Sequence, residues 1–152
     1  MNDRYLFRGK RLINPEYTQD TGEWTYGYYT KKVRCTRDGA ILKIDAIEDV
    51  GKIDGAAYAI HHEIDPATLN QSTGLKDKNG TLIFEGDVVE FTPVKTLQRA
   101  VVRYRQEHGS LVLAFNAKAD DLTGDRWDTM HPHEYVVIGN VHDNPELLNL
   151  RR

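Results

Sequence analysis

A single cysteine, Cys35, stands among 152 residues. It leaves no internal disulfide to form, which suits a reducing compartment. Long apolar runs are missing too: none approaches the ~18 residues of a membrane-spanning helix. The stretch Met1-Asn2-Asp3-Arg4 has no apolar segment beside it, so a secretory leader is not expected. The chain contains no Gly-x-Ser-x-Gly, no phosphate-cradling glycine-rich loop and no zinc-finger spacing, so common signatures of hydrolases, nucleotide-binding proteins and zinc modules are absent. Internal repeats and low-complexity tracts are absent as well. These absences lead us to expect a soluble cytoplasmic protein that is not an enzyme, holds no cofactor or metal and does not engage a membrane.

What is present is an ordinary globular composition, 39% hydrophobic and 28% charged. The length allows a core that needs no disulfide or metal staple. The net charge of −3 argues against a general polyanion binder. The charge is unevenly spread: residues 1–43 carry nine Lys/Arg against five Asp/Glu, and residues 44–90 carry three against ten. A basic front and an acidic middle can pair within or between subunits, or simply form solvated surface.

Turn chemistry and strand-forming runs dominate the pattern. Arg4 to Arg8 reads as a short strand broken at Gly9. Trp24 to Tyr29 is aromatic-rich, with Trp24, Tyr26 and Tyr28 on one strand face. Residues 45–60 are the least readable, since Gly51 and Gly55 interrupt any helix; Ala56 to Ile64 is a strand candidate. Asp65-Pro66 signals a capped helical turn. Asn79-Gly80 is the favoured pair for a tight hairpin, and Glu85-Gly86-Asp87 makes a second bend. Val88 to Phe91, Ala100 to Arg105 and Leu111 to Phe115 continue as a meander. Tyr135 to Val141 is a last strand, and Asn144-Pro145 opens a short closing helix. Leu111 to Phe115 and Tyr135 to Ile138 are apolar on both faces and need cover on both. The expected fold is mainly β: a small SH3-like, partly open β-barrel with an N-terminal β-rich arm and short helical segments. Residues 1–72 make the N-terminal segment and 73–152 the barrel domain, and the two can pack as one unit.

Four blocks carry a resemblance: Phe7-Arg8-Gly9-Lys10-Arg11 with Gly22-Glu23-Trp24-Thr25-Tyr26-Gly27-Tyr28-Tyr29; Ile64-Asp65-Pro66-Ala67-Thr68; Thr73 to Gly80 with Phe84-Glu85-Gly86-Asp87-Val88-Val89; and Val137 to Leu148. In this order they resemble the YopX family of bacteriophage and prophage proteins. The resemblance implies a mainly β fold with a small barrel, phage or prophage origin and self-association. It implies no activity, because the family has no established function. Asn14 to Thr21 and Ala46 to Ala59 have no counterpart in it.

The candidate functional residues are Arg99, Arg103 and Arg105, which a strand would project to one side along about 20 Å, with Lys95 extending the patch. Arginine suits phosphate through its charge and forked donors. With Trp24, Tyr28 or Tyr29 nearby, such a face would hold a single nucleic-acid strand by charge and stacking. The other reading is a solvated face opposite the acidic residues 85–90. Lys31, Lys32, Arg34 and Arg37 form a second basic cluster around Cys35. His131 and His133, with His61, His62, Glu63, His142 and Asp143, lack strong metal-ligand spacing. Asp120, Asp121, Asp125 and Asp128 lack the alternation of a calcium loop. Gly74, Asn79, Gly80, Gly86, Asp87, Gly139, Asn140 and Pro145 read as turn-forming residues, Asp87 bonding the bend while Gly86 supplies its backbone angle. The functional expectation is a non-catalytic phage accessory protein, a homo-oligomer that binds a phage or host protein. The alternative is a nucleic-acid-binding module, and a metal-dependent enzyme around His131 and His133 comes third.

Overall fold

A computed structural model describes residues 3–12, 22–53, 56–92, 95–106, 109–115 and 131–148. Its strands are β1 (Phe7–Lys10), β2 (Trp24–Cys35), β3 (Ile41–Ile53), β4 (Ala56–Glu63), β5 (Asn70–Lys76), β6 (Leu82–Phe84), β7 (Asp87–Phe91), β8 (Gln98–Arg105), β9 (Ser110–Ala114) and β10 (Val136–Asn140). Among the described residues the only helical elements are short 3-10 turns, and no helix is long and apolar enough to cross a membrane. Two antiparallel sheets result, one of six strands in the order β4-β3-β2-β1-β5-β6 and one of four in the order β10-β7-β8-β9. The residues from Arg4 to Gln71 cluster as one compact unit, and those from Ser72 onward, with Asp3, as a second.

In the first unit the strand expected from Arg4 begins only at Phe7, after a 3-10 turn at Asp3–Tyr5. Gly9 does not break it. Gly9 pairs with Thr25 inside the β1–β2 ladder. The unreadable region is a long hairpin: β3 pairs with β2 from Tyr28↔Glu48 to Cys35↔Ile41, and with β4 from Ala46↔Glu63 to Ile53↔Ala56. Asp65 caps the turn Pro66–Thr68 by accepting the Ala67 N–H at 2.9 Å. The Thr68 hydroxyl donates to the Asp65 carbonyl at 2.7 Å and accepts the Lys10 N–H at 2.8 Å, tying the turn to β1. The end of β4 also returns to β1, through an Arg11↔Ile64 bridge and a 2.9 Å bond from the Leu12 N–H to the Glu63 carbonyl. The buried apolar set of this unit is small: Ala46, Ile47 and Ile64.

The second unit is packed on both sides of its sheet. One side buries Ile83, Val89, Phe91, Ala100, Val102, Leu113 and Tyr135. The Phe91 ring lies 5.1 Å from that of Tyr135 and 6.0 Å from that of Phe115. The other side buries Val88, Val101 and Ala114 beneath Ile138, Val141, Leu147 and Leu148. The closing 3-10 turn Pro145–Leu148 therefore supplies the second cover that the two-sided apolar strands require. At 25 cal/mol per Å², burying one such valine is worth roughly 2 kcal/mol.

Asp77 organises the hairpin between β5 and β6. Its Oδ1 accepts the Asn79 and Thr81 N–H groups at 2.8 and 2.9 Å, and its Oδ2 accepts the Val137 N–H at 3.0 Å, sixty residues away. The turn is not the two-residue type. The Gly80 N–H bonds the Asp77 carbonyl at 3.0 Å, the Asp77 N–H bonds the Thr81 carbonyl at 2.8 Å, and Gly80 has φ +84. That is a type I turn closed by a left-handed glycine, a three-residue loop. Asp87 acts similarly at the next bend, accepting the Phe84 N–H at 2.8 Å beside Gly86 at φ +81.

The mainly β expectation holds in its coarser form, but no closed barrel is present among the described residues. In the four-stranded sheet β9 and β10 are the two edges and do not pair with each other.

Burial raises the affinity of the Asp77 carboxyl for a proton, but the Val137, Thr81 and Asn79 donors outweigh it and hold its pKa below the ordinary carboxylate value. A folded pKa below the unfolded one stabilises above about pH 4 and is lost as pH falls through the folded value. Charge-assisted bonds are worth about 1.5–3 kcal/mol, so Asp77→Ala should lower unfolding free energy by about 3 kcal/mol. In urea unfolding from pH 7 to pH 3, wild type should lose its advantage over Asp77→Asn at the acid end; a constant gap would contradict this.

Candidate functional site

Three aromatic side chains alternate along β2, and its register against β1 sets what stands beside them. Trp24 lies opposite Lys10, and Tyr26 opposite Arg8. The Arg8 guanidinium sits 4.7 Å from the Trp24 ring centroid and the Lys10 ammonium 5.5 Å from it, a cation–π arrangement. Tyr26 is 49% exposed and Tyr28 40%. Further along the same face Lys32 approaches Glu48 at 3.7 Å, His61 approaches Glu48 at 3.3 Å, and Arg34 bonds Glu63 at 2.7 Å. These pairs are partly exposed and contribute little stability each. Together they fix an aromatic and basic row bordered by two carboxylates.

The opposite face of these strands is drier. The Tyr29 hydroxyl donates to the Asp45 carboxylate. That hydrogen bond, then burial and the Asp45 charge, push the Tyr29 pKa up to about 12. The Phe7 ring packs 5.7 Å from that of Tyr29. His62 stands 3.4 Å from the Arg11 guanidinium. Burial, then the positive charge of Arg11, lowers its pKa, against a smaller opposing pull from Asp49. Adjacent His61 and His62 thus point to opposite faces, as their strand position requires.

The arginines of β8 do not form an open stripe. Arg99, Arg103 and Arg105 share a face, but Val101 lies between them at 1% exposure, in the cluster covered by the closing turn. Arg99 is paired with Glu90 at 2.9 Å. Tyr104, on the other face of β8 with the buried Ala100 and Val102, is 50% exposed. Lys95 is an exposed residue of the bend before β8. The aromatic residues sit on β2 with the second basic cluster, so the combination of stacking and charge falls on residues other than Arg99, Arg103 and Arg105. Cys35 is an exposed free thiol at the end of β2.

His131 and His133 are not on a strand. They flank and enter the 3-10 turn Pro132–Glu134, with ring centroids 5.8 Å apart, and His133 lies 3.8 Å from Glu134. Among the described residues no group of three or more His, Cys, Asp or Glu is placed to hold a metal. Asp120, Asp121, Asp125 and Asp128 lie outside the described residues. A groove of about 260 Å³ between β7, β10 and the bend before β8 is lined by Lys78, Glu90, Phe91, Thr92, Leu97, Glu134 and Val136. It falls short of the roughly 300–1,000 Å³ of small-molecule sites.

The turn residues have definite partners. Gly74, at φ +76, sits where the β5–β6 register shifts between Ser72 and Lys76. The Asn140 side-chain oxygen accepts the His142 and Asp143 N–H groups at 3.0 Å each, and its amide donates to Asp143 at 2.9 Å. A Cβ on Gly139 would meet the Asn144 side chain at 2.3 Å. Pro145 begins the closing turn. Glu48, bordering the aromatic row, and the reach of Asp77 to Val137 escape sequence reasoning. For Asp77 a signal existed, an aspartate three residues before the turn glycine.

The described architecture is that of a mainly β protein with two antiparallel sheets. The family described as YopX protein matches residues 7–149, and the chain belongs to that family. No curated protein matches. Among solved structures the chain is similar to the crystal structure of protein EF1440 from Enterococcus faecalis, at 26% identity and a TM-score of 0.44, over 93% of this chain and 96% of that one.

One glycine sets the aromatic row. A Cβ on Gly27 would stand 2.2 Å from the Glu48 carbonyl oxygen and 3.0 Å from Ile47 Cγ2. The first of these is backbone and cannot yield without parting β2 from β3. Gly27→Ala should cost about 1–3 kcal/mol, read as a lower midpoint in thermal unfolding; an unchanged midpoint would show that the strands separate freely there.

Proposed function

We propose that this protein is a non-catalytic phage or prophage accessory protein of the bacterial cytoplasm that assembles with itself and docks a protein partner. One observation carries the reading. Beyond the part paired with β1 and β4, β2 and β3 run on as a two-stranded ribbon, residues 31–35 against 41–45. On it Val33 is 65% and Ile41 70% exposed, and Leu42 is exposed as well. A two-stranded ribbon is marginal in water on its own, and exposed apolar side chains on it favour a covering partner. Of the ten exposed large hydrophobics among the described residues, eight lie between Arg4 and Gln71, so the surplus belongs to one unit. The second unit supports the finer reading of a partly open, SH3-like barrel: a three-strand meander, a 3-10 turn, then a last strand returning to the meander's first.

Light scattering over a dilution series should show a concentration-dependent mass above the 17.4 kDa of one chain. Val33→Ser with Ile41→Ser should weaken association roughly tenfold or more, given about 0.8 kcal/mol per buried CH2. A strict monomer at high concentration would remove the main support.

The Trp24, Tyr26 and Tyr28 row favours a second reading, a surface for single-stranded nucleic acid. Stacking contributes about 1–3 kcal/mol per base, and binding would weaken steeply with salt. On this reading Tyr26→Ala with Tyr28→Ala abolishes binding to single-stranded DNA at low salt, while Arg99→Ala leaves it in place. Absence of binding by the wild type at low salt disposes of it.

A further inference from the structure

We propose that β4 is the seam at which two copies of this chain join, edge to edge and antiparallel, about a two-fold axis through Tyr58. This deepens the reading of self-association and rests on it; the β4 edge is a contact separate from the β2–β3 ribbon. β4 is an outer strand of the six-stranded sheet. Its inner side is paired with β3 throughout. On its outer side the end of the strand meets Leu12 and Arg11 through Glu63 and Ile64, but among the described residues nothing pairs with Ala56 to Ile60. Ala56, Ala57, Tyr58 and Ala59 are exposed.

The chemistry of that edge is unguarded. Sheet edges are ordinarily protected by lysine, proline, bulges or brevity, because their free N–H and C=O groups template another strand. Ala56-Ala57-Tyr58-Ala59-Ile60 contains no charge and no proline, and its ladder to β3 runs without a register shift. The occupant follows from the symmetry of the segment. Ala57-Tyr58-Ala59 is a palindrome, so a two-fold axis at Tyr58 sets Ala57 against the second copy's Ala59, and the reverse. Tyr58 then meets its own counterpart, flanked by Ala56 and Ile60. Small residues on one face and two phenols on the other allow close approach without opposing charge. Isologous contacts of this kind close at the dimer, and main-chain hydrogen bonds across the seam would supply the affinity.

The test is a charge swap across the axis, read by sedimentation velocity on the full chain. Ala57→Lys with Ala59→Lys places lysine opposite lysine twice and should raise the dissociation constant roughly tenfold or more. Ala57→Lys with Ala59→Glu places opposite charges at both positions and should restore association to near the wild-type value. A second measurement does not depend on those substitutions: in a Cys35→Ser background, Tyr58→Cys should give a covalent dimer on mild oxidation, since facing residues of an antiparallel pair stand within disulfide reach. An associating wild type whose two charge variants behave alike, or whose Tyr58→Cys form stays uncrosslinked, overturns the β4 seam and leaves self-association through another surface. A monomeric wild type overturns both.

Discussion

The carboxylate of Asp77 is the constraint on which the second unit depends. It closes the β5–β6 hairpin through two N–H groups of its own turn and, with its other oxygen, fixes the start of β10 through the Val137 N–H. A Lys78 N–H bond to the Tyr135 carbonyl at 3.0 Å lies beside it. These contacts bring the last strand alongside β7, which places Ile138 and Val141 over Val88 and Val101. The long-range contact costs chain entropy that only the apolar burial behind it can offset. The polar clasp and the two-sided core are therefore one device: the clasp sets the register, and the core supplies the free energy.

The first unit is built on a different balance. Its buried apolar set is small, and its cross-strand contacts are largely polar: Tyr29 with Asp45, Arg34 with Glu63, and Lys32 and His61 with Glu48. Such pairs specify register more than they stabilise. Long strands held in this way leave Val33, Ile41 and Tyr58 in water. One half is packed on both faces and the other keeps an apolar surplus, and that contrast underlies the proposal of association.

Much of the fold was legible because the turns have strong local chemistry. Asp65-Pro66, Gly80 and Gly86-Asp87 each act within a few residues, and each appears in the structure with its hydrogen-bond partner. The hairpin of β3 and β4 was not legible, since Asp45, Asp49 and Gly51 are poor strand formers alone and are held in place by partner strands, Asp45 opposite Lys31 of β2 and Asp49 and Gly51 opposite Ile60 and Tyr58 of β4. The arginine face was legible only in part, for a related reason. Two-residue periodicity correctly put Arg99, Arg103 and Arg105 on one side, but periodicity carries no information on what packs over Val101 between them. The aromatic row on β2 was readable as a face, while its basic company from β1 depended on register across a variable insert.

Hydrogen exchange of the full chain at two protein concentrations tests the central contrast most directly. The Val137, Thr81 and Asn79 amides should be strongly protected at both concentrations, whereas amides of the β2–β3 ribbon and of Ala56 to Ile60 should exchange rapidly when dilute and slow down when concentrated. Protection that is uniform along the chain and indifferent to concentration would contradict it.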